Sequence, residues 1–152
     1  MKRIVPLLMV FSILVLAGAC ATNISTIKQN PVQYANRTVT ISGTVTKVHL
    51  VPNSRLNLLA VYDETDTIVV LTDEEVKKNQ DVTVSGEIVA IGGRITGQRA
   101  TYLQRKIADF LVANKITTQR RSLPTSKMVL AYLRNVLPKA RNTLLLLEST
   151  VY

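Results

Sequence analysis

The seven residues Val39-Thr40-Ile41-Ser42-Gly43-Thr44-Val45 return, almost letter for letter, as Val82-Thr83-Val84-Ser85-Gly86-Glu87-Ile88. Both copies alternate apolar and small polar side chains, with glycine at the same step. Alternation of period two puts one set of side chains on each face of a strand, so that one face is buried and the other stays wet. The echo therefore commits the chain to a sheet containing two half-buried strands. The segments around the copies read as the hairpin, turn and short helix needed to close a small β-barrel.

Taken in order, the first strand is expected over residues 38–51, with Val39, Ile41, Val45 and Val51 sharing one parity. Gly43 in mid-strand is expected to mark a bulge or a sharp coil, where a side chain would obstruct the bend. Pro52-Asn53-Ser54-Arg55 is a turn, a second strand follows over residues 56–63, Asp63-Glu64-Thr65-Asp66 turns again, and residues 67–71 form a third strand. Thr72-Asp73-Glu74-Glu75 reads as a capping box opening a short helix, with Lys77, Lys78 and Asn79 suiting its end. Residues 81–91 give a fourth strand, stopped by Gly92-Gly93. Ahead of the first strand, Ile24 and Ile27 suit a short helical turn that Asn30-Pro31 ends. Val32 and Tyr34 are expected to anchor that segment on a barrel end.

The fifth strand is the most ambiguous element. Residues 100–117 hold either a helix with Leu103, Ile107, Phe110 and Leu111 on one face, or a strand. Spacing favours the helix, whereas barrel closure favours a strand over residues 109–117, which is the assignment adopted. Gln119-Arg120-Arg121-Ser122-Leu123-Pro124 is expected to break the chain. Ser126 would then cap a helix through Leu137 with Val129, Leu130, Leu133 and Leu137 as its apolar face, and Pro138 would end or kink it. The run Leu144-Leu145-Leu146-Leu147 is far too short to span a bilayer.

Ile27, Pro31, Tyr34, Val39-x-Ile41-x-Gly43-x-Val45, Tyr62-Asp63-x-Thr65-x-x-Ile68-x-Val70 and Val82-x-Val84-x-Gly86-x-Ile88 together resemble the small bacterial OB domains of exported proteins. The resemblance covers residues 24–91 and implies a mainly β, five-stranded OB-fold-like Greek-key barrel. It comes with a short helix between strands three and four and a partly helical C-terminal extension. One departure is Asp66-Thr67, where such domains often carry glycine.

Lys2 and Arg3, an apolar run over residues 4–16 and Ala17-Gly18-Ala19 form a secretory signal pattern. The only cysteine follows at once. Leu16-Ala17-Gly18-Ala19-Cys20 resembles the lipobox of bacterial lipoproteins, with leucine four places before the cysteine rather than the usual three. That resemblance implies an acylated, palmitate-bearing Cys20 as the first mature residue. Ala21, where inner-membrane retention usually shows Asp, implies the periplasmic face of the outer membrane. Each buried CH₂ adds about 0.8 kcal/mol, so several acyl chains hold a domain firmly where one holds marginally. The expected organisation is a signal over 1–19, a tether and short helix over 20–37, the barrel over 38–117 and a basic extension over 118–152.

The net charge of +9 is unevenly spread. Residues 21–93 carry six basic and eight acidic side chains, residues 94–152 eleven and two. A basic C-terminal third on a mildly acidic domain suggests contact with an anionic surface or an envelope partner. The candidates are Arg94, Arg99, Arg105, Lys106, Arg120, Arg121, Lys127 and Arg134, with Lys139 and Arg141 beyond them. Nucleic acid is not the expected partner of the barrel, whose strands carry a single aromatic, Tyr62, over a net acidic segment.

One cysteine excludes an intrachain disulfide and a thiolate metal cluster. His49 is the lone histidine, with no ligand set or nucleophile spacing around it, and reads as structural or exposed. Asp63, Glu64, Asp66, Asp73, Glu74 and Glu75 would attract a hard cation if they gathered at one barrel end, although turn and cap chemistry already accounts for each. Gly92-Gly93 through Gly97 lacks the Gly-Lys-Ser/Thr of a phosphate loop. The sequence thus points to a non-enzymatic binding or structural module without a cofactor or metal. The alternative reading is a binder of DNA, lipopolysaccharide or phospholipid through the basic third.

Overall fold

In the computed structural model, which describes residues 20–137 and 143–151, the two echoed segments lie side by side. They belong to β1 (Thr38–Leu50) and β4 (Asp81–Ala90), which pair antiparallel from Thr38↔Glu87 to Thr44↔Asp81. Val39, Ile41, Val45, Val82, Val84 and Ile88 point inward and are buried. The small polar residues form a ladder on the outer face: the Thr40 and Ser85 hydroxyls lie 2.7 Å apart, Ser42 and Thr83 2.9 Å apart, and Thr44 donates to the Asp81 carboxylate at 2.6 Å. Opposed hydroxyls of this kind stabilise a cross-strand pair directly.

Each copy's glycine marks the place where its strand crosses a third one. A Cβ on Gly43 would sit 2.4 Å from the carbonyl oxygen of Tyr62 in β2 (Asn57–Tyr62). A Cβ on Gly86 would sit 2.3 Å from the carbonyl oxygen of Leu147 in β5 (Leu144–Val151). Glycine is required here by the approach of a neighbouring backbone. A register shift does adjoin Gly86, between Ser85 and Gly86, but the one in β1 lies between Val45 and Lys47 rather than at Gly43.

With β3 (Thr67–Thr72), the five strands close into a barrel in the order β1-β2-β3-β5-β4, β3 and β5 running parallel and the other pairs antiparallel. This is an OB-fold-like barrel. The strand expected over residues 109–117 is not there. Those residues end α3 (Gly97–Ala113) and turn into α4 (Gln119–Val136), and the closing strand is the leucine run at 144–147 with the residues that follow. Leu144 and Leu146 fill the barrel while Leu145 and Leu147 pack beneath the helices. A strand buried on both faces reads as a continuous apolar run, without the alternation that betrays a half-exposed one. The boundary drawn at 117/118 therefore cuts through the barrel's own sequence.

The helix expected between strands three and four is absent, and residues 73–80 form turns. The Thr72 hydroxyl accepts from the Glu74 amide at 2.9 Å rather than from Glu75, Asn57 Nδ2 donates to the Glu74 carbonyl, and Asn79 donates its amide to Val45. Val76 is drawn into the barrel core. The barrel rim takes the groups a helix turn would have used.

The helices lie instead between β4 and β5, as a hairpin against the outside of the barrel. Leu103, Ile107, Phe110 and Leu111 of α3, with Val129, Leu130 and Leu133 of α4, pack on Leu58, Leu71, Val89, Leu145 and Leu147. The apolar face read for the second helix is correct, but its start is not. Thr118 is the N-cap and Pro124 lies inside α4. Proline costs the helix an internal hydrogen bond. The hydroxyls of Ser122, Thr125 and Ser126 bond to the carbonyls of Gln119, Arg121 and Leu123 around it, and burial of Ser122 and Val129 holds the segment down. The reading of Pro138 falls outside the described residues, as does the signal over 1–19.

At one barrel end α1 (Ile24–Gln29) inserts Ile24 and Ile27, both fully buried, into the barrel core. α2 (Pro31–Tyr34) follows, with Tyr34 partly buried on that core, but Val32 is 88% exposed and anchors nothing. The plug is held electrostatically. Asp63 accepts the Ile24 amide at 2.6 Å, and Lys28 pairs with Asp66 at 2.6 Å. The turn that lacked glycine works because Glu64 takes φ +72° while Asp63 accepts the amides of Thr65 and Asp66.

Gly43→Ala and Gly86→Ala should each destabilise the protein by about 3 kcal/mol in urea unfolding, because overpacking against backbone leaves little room to relax. Alanine at the open Gly97, where nothing lies within 4 Å of the added carbon, should cost less, limited to the strain of its positive φ.

Candidate functional site

In OB barrels the face of strands two and three and the loops after strands one and four carry ligands. Here the outward side chains of that face are Leu58, Ala60 and Tyr62 on β2, and Thr67, Val69 and Leu71 on β3. Leu58 and Leu71 are sealed under the helical hairpin, which is itself the connection between β4 and β5. The remainder of the face is a groove of about 290 Å³ between Thr46, Lys47 and His49 of β1, Ala60, Thr67 and Val69, and the end of α4 at Val136 and Leu137. Apart from His49, these groove residues were not picked out from sequence, although the outward parity of the strands contains the signal.

His49 is an exposed member of this groove beside Lys47. Among the described residues, no carboxylate lines the groove to orient the imidazole, and no group of three His, Cys, Asp or Glu side chains is placed to hold a metal ion. The acidic residues do not gather. Asp63, Glu64 and Asp66 precede β3 and Asp73, Glu74 and Glu75 follow it, so roughly 20 Å of strand separates the two groups. Burial pushes the Asp63 carboxyl up, but the Thr65 hydroxyl and the amides of Ile24, Asp66 and Thr65 outweigh it and hold the group below its usual range. Asp66 is likewise pushed up by burial and held low overall, chiefly by Lys28. These two carboxylates contribute stability above the ordinary carboxylate range that is lost as pH falls through their depressed values. Their role is to hold the α1 plug.

The basic candidates divide. Lys106 pairs with Glu87 on β4 and lies 5.9 Å from the Tyr102 ring centre, while Tyr102 donates its hydroxyl to Asn36. The hydrogen bond to Glu87 raises the Lys106 ammonium above its ordinary value against the opposing pull of burial. Arg99 donates to the Gly92 carbonyl. These two fasten α3 to the barrel. Arg94, Arg105, Arg120, Arg121, Lys127 and Arg134 are exposed, and none belongs to the ion pairs found among the described residues, Lys28–Asp66 and Lys106–Glu87. Arg94 and Arg134 share a cleft of about 190 Å³ where the hairpin meets the barrel rim. Cys20 is exposed, and Thr22, two residues on, already donates its amide to Thr40.

A buried polar group at the other rim escaped the sequence reading. Glu148 is 4% exposed, beside Thr72, whose hydroxyl bonds to it, and among the described residues Asn57 Oδ1 is buried without a hydrogen-bond partner. Burial pushes the Glu148 carboxyl up, the Thr72 bond works against this, and Asp73 and Glu74 add to the rise.

No family model matches the chain, and neither does any curated protein. Among solved structures it is similar to asparaginyl-tRNA synthetase from Pyrococcus horikoshii complexed with asparaginyl-adenylate, with a TM-score of 0.39 and 15% identity. The match covers 46% of this chain and 18% of that one. The architecture is defined by the closed strand order rather than by that likeness.

A raised carboxyl favours the fold below its unfolded pKa, and that contribution disappears as pH rises through the folded value. Glu148→Gln should therefore raise Tm at pH 8 by roughly 3 °C or more, and leave it nearly unchanged at pH 4, as read by thermal unfolding followed by circular dichroism.

Proposed function

We propose that this chain is a non-enzymatic binding module of the bacterial cell envelope, lipid-anchored through Cys20 at the periplasmic face of the outer membrane. The anchor is supported by the lipobox-like residues 16–20. Acyl chains on Cys20 would hold the barrel close to the bilayer, since the chain joins the sheet edge at Thr22. Among the described residues, no helix is long and apolar enough to cross a membrane. In a bacterial host the wild-type chain should incorporate radiolabelled palmitate and Cys20→Ser should not. Equal labelling, or none in either, contradicts the anchor.

The ligand is an anionic one, and a single observation carries this reading: the connection on the fold's ligand-bearing flank is a helical hairpin whose exposed arginines lack carboxylate partners among the described residues. Basic side chains near an anionic surface are each worth about 1 kcal/mol. Replacing both Arg94 and Arg134 by Gln, in full-length Cys20→Ser chain, should weaken retention on phosphatidylglycerol vesicles roughly thirtyfold at low salt. Unchanged, salt-insensitive retention would remove the anionic reading.

A further inference from the structure

The clearest convergence of charge lies at the opposite end of α4 from Arg94 and Arg134, some 20 Å away along the helix. Arg55 in the β1–β2 turn, Lys115 in the α3–α4 turn and Arg121 in the first turn of α4 line one cleft of about 660 Å³. Asn53, Thr117 and Thr125 complete its polar wall. All three cations are exposed, and none belongs to an ion pair among the described residues. No acidic side chain lines the cleft.

This convergence is built by the fold. The three residues come from segments up to sixty-six positions apart, and two of the turns are set by residues in the left-handed region, Asn53 at φ +56° and Lys115 at φ +55°. The Ser54 hydroxyl donates to the Val51 carbonyl at 2.9 Å and accepts the Leu56 amide at 3.1 Å, which fixes the turn that presents Arg55. The Thr125 hydroxyl is spent on the Arg121 carbonyl, and Arg55, Lys115, Arg121 and Thr117 are the other donor-bearing residues among those that line the cleft with Asn53 and Ser54. Arg120 and Arg121 also stand at a helix start with no acidic residue in its first turn, where positive charge opposes the macrodipole. An isolated protein gains nothing from that arrangement, whereas a bound anion relieves it.

We infer that this cleft binds a phosphomonoester group. Two guanidinium forks match tetrahedral phosphate oxygens bidentately and the ammonium adds a point charge, a donor set suited to a dianion. The inference deepens the anionic reading above and rests on it. It differs in assigning Arg55, which lies outside the basic C-terminal third, and in requiring saturable binding of the phosphate group itself.

The test uses full-length Cys20→Ser chain and inorganic phosphate as probe, titrated by calorimetry at low ionic strength, with circular dichroism to verify folding. Saturable binding is expected, weakened at least tenfold by Arg55→Gln, Lys115→Gln and Arg121→Gln individually and unchanged by Lys78→Gln, an exposed cation outside both clefts. Phosphatidic acid vesicles against phosphatidylcholine vesicles then separate the sources. Retention on the former that is lost in Arg55→Gln assigns a lipid phosphate, whereas phosphate binding without vesicle preference assigns a soluble phosphomonoester. Wild-type affinity in all three variants, or no saturable binding by the wild type, overturns the site. So does a single-stranded oligonucleotide that binds through these residues where phosphate and vesicles do not. If Arg94 and Arg134 prove necessary for phosphatidylglycerol binding while the cleft variants are silent, the anionic reading stands and the cleft alone falls.

Discussion

Two close approaches of backbone to backbone shape this barrel: the Tyr62 carbonyl oxygen lies 2.4 Å from where a Cβ on residue 43 would be, and the Leu147 carbonyl oxygen 2.3 Å from where one on residue 86 would be. Glycine at such a crossing permits a tight bend at a barrel corner, and here five strands close the barrel. The register from Thr38↔Glu87 to Thr44↔Asp81 places Gly43 and Gly86 at opposite ends of the same two-stranded ribbon. The two copies of the motif are thus related by a local two-fold, and each turns its corner the same way. The echo is architecture. The inward valines and Ile41 fill the core, the outward hydroxyls pair across strands, and no side chain of the motif is left over for chemistry.

The function must therefore sit in what the barrel carries. The hairpin of α3 and α4 enters between β4 and β5, roofs Leu58 and Leu71, and narrows the open face to the groove beside His49 and Lys47. It also brings the α3–α4 turn up to the β1–β2 turn, so that positive charge from two distant parts of the sequence meets across one cleft. Lys106 and Arg99 are consumed in attaching the hairpin. A basic residue counted from sequence is not by that alone free to bind, since Lys106 and Arg99 already have partners within the fold.

Much of the barrel was legible because β1 and β4 are half-exposed and alternate, because β2 and β3 are short apolar runs bounded by clear turn signals, and because Ile24 and Ile27 have helical spacing in a polar surround. The fifth strand was not, for a definite reason: Leu144 to Leu147 are buried on both faces and carry no period, while the requirement for closure drew the assignment onto residues 109–117. The expected capping box at Thr72 was a real polar signal attached to the wrong partner, since the threonine serves the Glu74 amide and the buried Glu148. Pro124 was read as a break because local propensity is visible in sequence and the burial that overrides it is not. Arg55 and Lys115 carry no motif at all. Only the approach of their turns gives them a shared role.

Closure by β5 is the claim on which both the roofed face and the cleft depend, and amide hydrogen exchange followed by NMR tests it most directly. The amides of residues 145–147 should exchange as slowly as those of Val70 and Ile88, with cross-strand contacts between Val69 and Leu145 and between Leu71 and Leu147. Rapid exchange across residues 144–148, with protection and strand contacts appearing over residues 109–117 instead, would contradict the account.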